Sequence, residues 1–361
     1  MKKIIFSIIF CLILGNFSNS YASEKINKEA ESYYKQGISI NKKINQAKRI
    51  NPNIDCTKLN ETAIENFSKA IEIEPNYANA YFQRAEKHYE MLKPYIYKDS
   101  LFHLMSISVE KTPLAEITTD YSKANELNPQ NLEALFKKNF IKLFLTVDLD
   151  DDEYEEQKYN QLVQKHLASI NDDIEKMINV NPLYSNAYLL KGMLLGFFFN
   201  GYDENNENLL FTERNQEDRK LDLINISEKE KFEIKNKMDS AHKLAIQNFS
   251  TAISLNPRNS LAYIYRAHFR FKLNDYKGGI SDISSAISIE PYNANFYYMR
   301  ADKKFYTHNI DKNGFPVSVD TRGAYKDYLT ARDLSINTDS DLYSECMNMI
   351  RIIEEHHRDK I

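Results

Sequence analysis

Tryptophan is absent, and the 361 residues hold only 9 glycines, 9 prolines and 3 cysteines. Glycine stands at about a third of its ~7% average usage, too low for repeated phosphate-cradling loops, β-bulges and tight hairpins, so a doubly wound or all-β architecture is disfavoured. No Gly-rich phosphate loop, His-Glu-x-x-His pair, Cys-x-x-Cys or Gly-x-Ser-x-Gly elbow occurs, which removes the common spacings for nucleotide, metal and acyl-transfer chemistry. Basic charge is not in excess either. There are 47 Lys and Arg against 51 Asp and Glu, and a negative surface disfavours nucleic acid and anionic lipid as partners. The apolar run Ile4 to Leu14 is eleven residues long, short of the ~20 that a spanning helix needs.

That run is part of a recognisable leader. Lys2 and Lys3 precede it, and a polar stretch after it ends Ser20-Tyr21-Ala22. A positive start, a short apolar segment and small residues at the cleavage places make a signal peptide, with cleavage expected before Ser23. Cys11 does not read as a lipidation site, because Phe10 precedes it and the apolar run continues beyond it. Loss of Lys2 and Lys3 with the leader lowers the basic count to 45 against 51 acids, a net of −6. Two cysteines remain, Cys56 and Cys346, and two in so long a chain are no disulfide framework. They read as small buried hydrophobes; a bond between them would require the two ends of the repeat array to meet.

Five of the nine prolines share one context: Ala-Ile-Glu-Ile-Glu-Pro75, Ala-Asn-Glu-Leu-Asn-Pro129, Met-Ile-Asn-Val-Asn-Pro182, Ala-Ile-Ser-Leu-Asn-Pro257 and Ala-Ile-Ser-Ile-Glu-Pro291. Pro257 and Pro291 are 34 residues apart, a repeat period known for helix pairs. With this proline numbered 32, position 27 holds Ala70, Ala124, Ala252 and Ala286, with Met177 as the exception, and position 24 holds Phe67, Tyr121, Ile174, Phe249 and Ile283. The next first helix carries an aromatic at 4 and a small residue at 8: Tyr81 and Ala85, Tyr188 and Gly192, Tyr263 and Ala267, Tyr297 and Ala301. The copy after Pro129 departs, with Leu135 and Asn139. Tyr33 and Gly37 fit a first copy; Ala324, Tyr328 and Ala331 fit the last second helix, where Ile336 replaces the proline.

This pattern resembles the tetratricopeptide repeat family over nearly all of residues 28 to 336. The resemblance implies an all-α, tetratricopeptide-type helical-repeat solenoid of about six helix pairs. Small residues at 8, 20 and 27 let antiparallel helices approach, aromatics at 4 and 24 fill the space between pairs, and proline ends each second helix. First helices are expected near 28–46, 77–91, 131–146, 184–199, 259–273 and 293–306, with second helices ending near 74, 128, 181, 256, 290 and 335. The domain reading is a signal peptide at 1–22 and a repeat domain at 23–361. Its regular repeats fall near 61–91, 113–146, 245–305 and 321–336, and a capping helix lies at 339–357 with Leu342, Cys346, Met349, Ile350 and Ile353 on one stripe. The repeat leaves no stretch for paired strands. Insertions are expected at 47–60, 93–111, 147–156, 200–226 and 307–322. Ser227 with Glu230 reads as a capping box opening a long second helix to about Asn256.

Metal binding finds no support. The acidic run from Asp148 to Glu153 lacks the glycine and the glutamate of an EF-hand loop, and Asp311-Lys312-Asn313-Gly314 fails in the same way. His356 and His357 read as a solvated tail. No metal, cofactor or catalytic residue is expected.

In tetratricopeptide proteins the concave face is lined by positions 2, 5, 9, 12 and 13 of the first helices. The resemblance therefore carries a peptide-binding role onto Phe82, Glu86 and Tyr89; Phe136, Phe140, Leu143 and Phe144; Leu189, Met193 and Phe197; Ile264, His268 and Phe271; and Tyr298, Asp302, Phe305 and Tyr306. The lysine and asparagine of the carboxylate clamp are missing, so capture of an acidic carboxyl-terminal tail by that mode is not expected. Two readings of this mainly apolar lining stand side by side. It is a groove for an apolar helix or extended segment, or the insertions fold into it and bury it as core. The implied function is that of a non-catalytic interaction or scaffold protein of the bacterial envelope, periplasmic or secreted, with a protein or peptide partner. The alternatives are a secreted factor acting on another cell and an enzyme whose site is built from the insertions.

Overall fold

The computed structural model describes residues 26–51, 54–96, 111–145, 156–202, 209–211, 227–306, 320–336 and 339–358. The leader, the acidic run at 148–153, the loop at 311–314 and most of the insertions expected at 93–111, 147–156, 200–226 and 307–322 lie outside the described residues. Among those described, thirteen helices run as six antiparallel pairs and a last single helix. They are α1 (Lys28–Ile50) with α2 (Thr57–Ile73), α3 (Ala78–Ile96) with α4 (Lys111–Leu127), and α5 (Leu132–Leu145) with α6 (Glu156–Val180). Then come α7 (Ser185–Phe198) with α8 (Glu228–Leu255), α9 (Ser260–Lys272) with α10 (Tyr276–Ile289), α11 (Ala294–Phe305) with α12 (Thr321–Ser335), and α13 (Ser340–His356). Each helix packs on the one before it and the one after it in sequence. That is the nearest-neighbour arrangement of a tetratricopeptide-type solenoid.

Local chemistry sets the helix ends. Every second helix from α2 to α10 stops two residues before its proline, whose missing N–H and clash with the preceding residue forbid continuation. In three of the five turns the residue before proline is an asparagine whose Oδ1 accepts from the backbone N–H two residues on: Asn128 from Gln130, Asn181 from Leu183 and Asn256 from Arg258. The helices then restart on side-chain caps. Asn131 accepts from the Ala134 N–H, Asn259 from Ala262, Asp275 from Gly278, Asp320 from Gly323, and Asp339 from Asp341 and Leu342. The tight turn inside the α9–α10 pair places Asn274 at φ 62°, a left-handed conformation that asparagine tolerates.

Packing explains the small residues. A Cβ placed on Gly37 would stand 2.5 Å from the Phe67 ring, and one on Gly192 would stand 2.6 Å from Phe249. In both repeats a phenylalanine at 24 therefore sits where position 8 has no side chain. Ala85, Ala267 and Ala301 stand at position 8 opposite Tyr121, Ile283 and Tyr328, and all six side chains are buried. Asn139 departs from the small-residue rule and is fully buried; its amide donates to the Leu135 carbonyl and to Asp173. Helix α13 buries Leu342, Cys346, Met349, Ile350 and Ile353 against α12 and α11. Cys56 and Cys346 are free and buried, and burial pushes the Cys346 thiol up to about 12.

Two expectations need correction. The first insertion is shorter than 47–60, because α1 runs on to Ile50 and α2 begins at Thr57. Paired strands occur among the described residues: β1 (Phe199–Tyr202) pairs antiparallel with β2 (Leu209–Phe211) at the start of the segment after α7. In sequence, Phe199, Leu209, Leu210 and Phe211 are of the apolar and aromatic kinds enriched in strands. Their signal is not carried by the repeat.

Candidate functional site

The concave stripe does not have one environment along its length. In the middle pairs it is core. Phe136, Phe140, Leu143, Leu189, Met193 and Phe197 are all buried in the largest apolar cluster, together with Val163 and Leu167 of α6. Phe136 and Phe140 lie one turn apart with ring centroids 5.6 Å apart. Phe197 packs on Phe269 at 4.9 Å and on His268 at 5.5 Å. Ile264 is buried too. The Phe144 side chain lies outside the described residues.

Towards either end the stripe opens. Phe82 and Glu86 are half-buried, while Tyr89 is buried. The Tyr121 hydroxyl donates to Glu86 at 2.7 Å, Lys137 Nζ lies 3.2 Å from the same carboxylate, and that ammonium stands 4.2 Å above the Tyr89 ring. Burial and the Glu86 carboxylate both push the Tyr121 phenol well up, so it remains a donor at any working pH. At the other end His268, Phe271, Tyr298 and Asp302 are half-buried, Phe305 is buried and Tyr306 is exposed. Burial, with Lys272 and Lys303 nearby, pushes His268 down to about 3, so it is neutral. Lys303 Nζ lies 5.9 Å over the Phe271 ring and 3.1 Å from the Asp302 carboxylate.

A second set of residues, which the sequence motifs did not single out, stands on the other side of the first helices. Arg84, Arg266 and Arg300 occupy position 7, and each makes the same three contacts. Each guanidinium grips the aspartate at position 23 of its own repeat through two bonds: Asp120 at 2.7 and 2.7 Å, Asp282 at 2.9 and 2.7 Å, Asp327 at 2.8 and 2.7 Å. Each also donates to the serine at position 25 of the preceding repeat: Ser68, Ser250 and Ser284, at 3.2, 3.0 and 3.0 Å. Each lies over the aromatic at position 4, at 5.7, 5.6 and 5.7 Å from the ring centre. One arginine thus ties its own second helix to the previous one. Lys138 reaches Asp173 at 2.6 Å in the same places, and Lys191 turns instead to Glu175 at 2.7 Å, because position 23 of its repeat is the neutral Asn248. The first repeat has Gln36 and Asn66 at these positions. The signal was available in the sequence as a base at 7 wherever an acid stands at 23.

A cleft of about 550 Å³ lies beside the Arg84–Asp120 pair, bounded by Ser68, His88, Glu116 and Thr119. Its origin is a substitution within the repeat. At position 11, Arg270 and Lys304 reach Asp282 and Asp327 at 2.9 and 3.0 Å, whereas the shorter His88 forms no such bond to Asp120. Burial holds His88 below its usual range, and Asp120 is already committed to Arg84. Among the described residues no group of three or more His, Cys, Asp or Glu side chains could hold a metal ion, and no helix is long and apolar enough to cross a membrane.

No family model and no curated protein matches the sequence. Solved structures do match. A tetratricopeptide repeat protein from Parabacteroides merdae is 14% identical over 90% of this chain and 100% of its own, with a TM-score of 0.46. A thermophilic protein of the same repeat class from Thermus thermophilus is 13% identical over 69% of this chain and 96% of its own, with a TM-score of 0.43. MamA from Desulfovibrio magneticus is 11% identical over 74% and 97%, with a TM-score of 0.37. The fold assignment rests on the repeat geometry of the chain itself.

Proposed function

We propose that this chain, a tetratricopeptide-type helical solenoid, is a non-catalytic interaction or scaffold protein of the bacterial envelope. It takes a protein or peptide partner on the part of its concave face that the buried middle leaves open. The observation that carries this reading is the change along the stripe from buried Phe140 and Met193 to half-buried Phe271, Tyr298 and Asp302. Half-buried aromatics with a carboxylate among them suit an amphipathic peptide: one side of each ring packs on the second helix, Phe271 against Gly279 and Tyr298 against Tyr328, and the other side is open. The buried carboxylates argue against catalysis, since Asp120, Asp282 and Asp327 are spent on arginines that hold helices. A net charge of −6 after loss of the leader disfavours nucleic acid. Export is supported by the pattern of residues 1–22 alone.

The test is affinity capture with the full-length chain from the envelope fraction of its native cell, scored on the wild type and on Phe271→Ser with Tyr298→Ser. Specific co-purification that the double substitution removes, from a variant still folded by circular dichroism at the capture temperature, supports the role. Recovery unchanged by the substitution contradicts the concave site. Intact mass of the exported protein should begin at or near Ser23; a mass that includes Met1 contradicts export.

A further inference from the structure

Only two of the six first helices carry a carboxylate at position 9, Glu86 and Asp302, and only those same two repeats carry a tyrosine at position 24, Tyr121 and Tyr328. The rest of the surroundings repeats as well. An aromatic at position 5 meets that tyrosine edge-on in both, Phe82 on Tyr121 at 5.9 Å and 60°, Tyr298 on Tyr328 at 5.6 Å and 68°. Position 12 is aromatic in both, Tyr89 and Phe305. The chain therefore contains one acid and aromatic arrangement twice.

The first copy is filled. The residue at position 6 of the next repeat is Lys137, whose ammonium sits 3.2 Å from Glu86 and over the Tyr89 ring at 4.2 Å. The Tyr121 hydroxyl completes the carboxylate's shell at 2.7 Å. A cation between a carboxylate and an aromatic face is favourable on both counts.

The second copy lacks its lysine. The next helix in the chain is α13, and with Ile336 in the place of the proline, position 6 there is Ser344, whose hydroxyl is turned to its own helix at the Ser340 carbonyl. Tyr328 also lacks the bond that Tyr121 makes to Glu86, the shorter Asp302 standing in the place of that glutamate. The Tyr328 side chain is fully buried, Asp302 is the strongest charge acting on it, and its hydroxyl has no hydrogen-bond partner among the described residues. Asp302 and Tyr298 beside it remain half-buried and Tyr306 is exposed, so the site is reachable from solvent. The polar contact that Asp302 makes is with Lys303 at 3.1 Å, its neighbour in sequence, whose side chain is 41% exposed.

We infer that the concave face at Tyr298, Asp302, Tyr306 and Tyr328 binds a lysine side chain of the partner polypeptide, in the place that Lys137 occupies at Glu86. This deepens the interaction role proposed above and rests on it. The partner segment is basic, which agrees with the negative charge of the chain.

The probe is acetyl-Ala-Lys-Ala-amide, with the norleucine peptide as its uncharged counterpart. Binding to the full chain is read by saturation transfer from protein to the lysine ε-methylene or, for the counterpart, to the norleucine ε-methyl. The lysine peptide should saturate the wild type, and the norleucine peptide should bind about tenfold more weakly or less, the scale of one lost charge-assisted bond. Asp302→Asn should weaken the lysine peptide about tenfold at an unchanged unfolding midpoint. Asp302→Glu should retain it, and Lys137→Met should add a second site of the same preference. Equal binding of the two peptides, or an Asp302→Asn variant that binds as the wild type does, overturns the inference, as does no binding at all. Self-association abolished by Asp302→Asn, with no peptide bound, assigns the site to a second copy and also overturns it. Failure here is distinct from failure of the interaction role, which is read by capture of a native partner on the wild-type chain.

Discussion

The pairs α5 to α8 and the pairs α9 to α12 use the same helical repeat with different means of cohesion. In the middle, the first helices bury both faces. Helix α7 is buried from Leu189 to Phe198 except at Lys191, and Phe136, Phe140 and Met193 vanish into the core. Its position-7 cation reaches Glu175, and position 23 is the neutral Asn248. In the later pairs the concave positions are half open, and Arg266 and Arg300 each hold an aspartate and a serine on two successive second helices. The α7–α8 pair thus relies on apolar burial where the tie is absent, the α5–α6 pair has both that burial and the Lys138–Asp173 tie, and the later pairs keep the tie with a more open concave side.

The two regions should differ most in their response at Phe140 and Tyr298. Replacement of Phe140 by Ser should cost about 3 to 5 kcal/mol, the range for deleting a core phenylalanine, while Tyr298→Ser, which removes a half-buried ring packed on Tyr328, should cost less, about 1 to 2 kcal/mol. Urea unfolding midpoints measure both; equal losses would erase the distinction between the two regions. Next is Arg300→Met. It leaves the Asp327 carboxylate, itself only 8% exposed, without its bidentate partner and should cost about 2 to 4 kcal/mol. Lys191→Met, on a half-exposed pair, should cost under about 1 kcal/mol. A reversed order in thermal unfolding would refute the role given to the arginine ties. A smaller loss, about 1 to 3 kcal/mol, is expected for Ala267→Leu, which overpacks the contact with Ile283 and leaves the middle pairs untouched.

The later pairs should also differ in pH dependence. His268 titrates at about 3 in the folded chain and at 6.5 unfolded. Above pH 6.5 both states leave it neutral, and as pH falls towards 3 the unfolded state alone binds the proton, so stability declines. His88 and His166 are also held low by burial and act in the same direction. His268→Leu should reduce the slope between pH 6 and 4 by up to about 1.4 kcal/mol per unit. An unchanged slope by chemical denaturation would place His268 in water.

Most of the helical frame was legible because its determinants are local. Proline at 32 ends a helix wherever it falls, and a small residue at 8 facing a ring at 24 is needed in each copy, as Gly37 with Phe67 and Gly192 with Phe249 demonstrate. The arginine ties were equally regular in sequence, yet a charge read alone looks solvated; only the pairing of 7 with 23 distinguishes Arg266 from a surface base. The division of the concave stripe was not legible. Phe140 and Tyr298 are both aromatic at concave positions, and their difference in burial comes from which distant helices approach, with Val163 and Leu167 of α6 joining the cluster that holds Phe140. The missing lysine beside Asp302 depends likewise on the helix that succeeds its repeat.

A partner seated on the concave face of the last pairs must lie within reach of Tyr298. Site-specific photo-cross-linking in the native cell reads this contact, with p-benzoylphenylalanine at position 298 and, as a control, at position 232, where Phe232 of α8 is 66% exposed. One discrete adduct is predicted from position 298 and none from position 232. An adduct from position 232 alone would contradict a concave partner site.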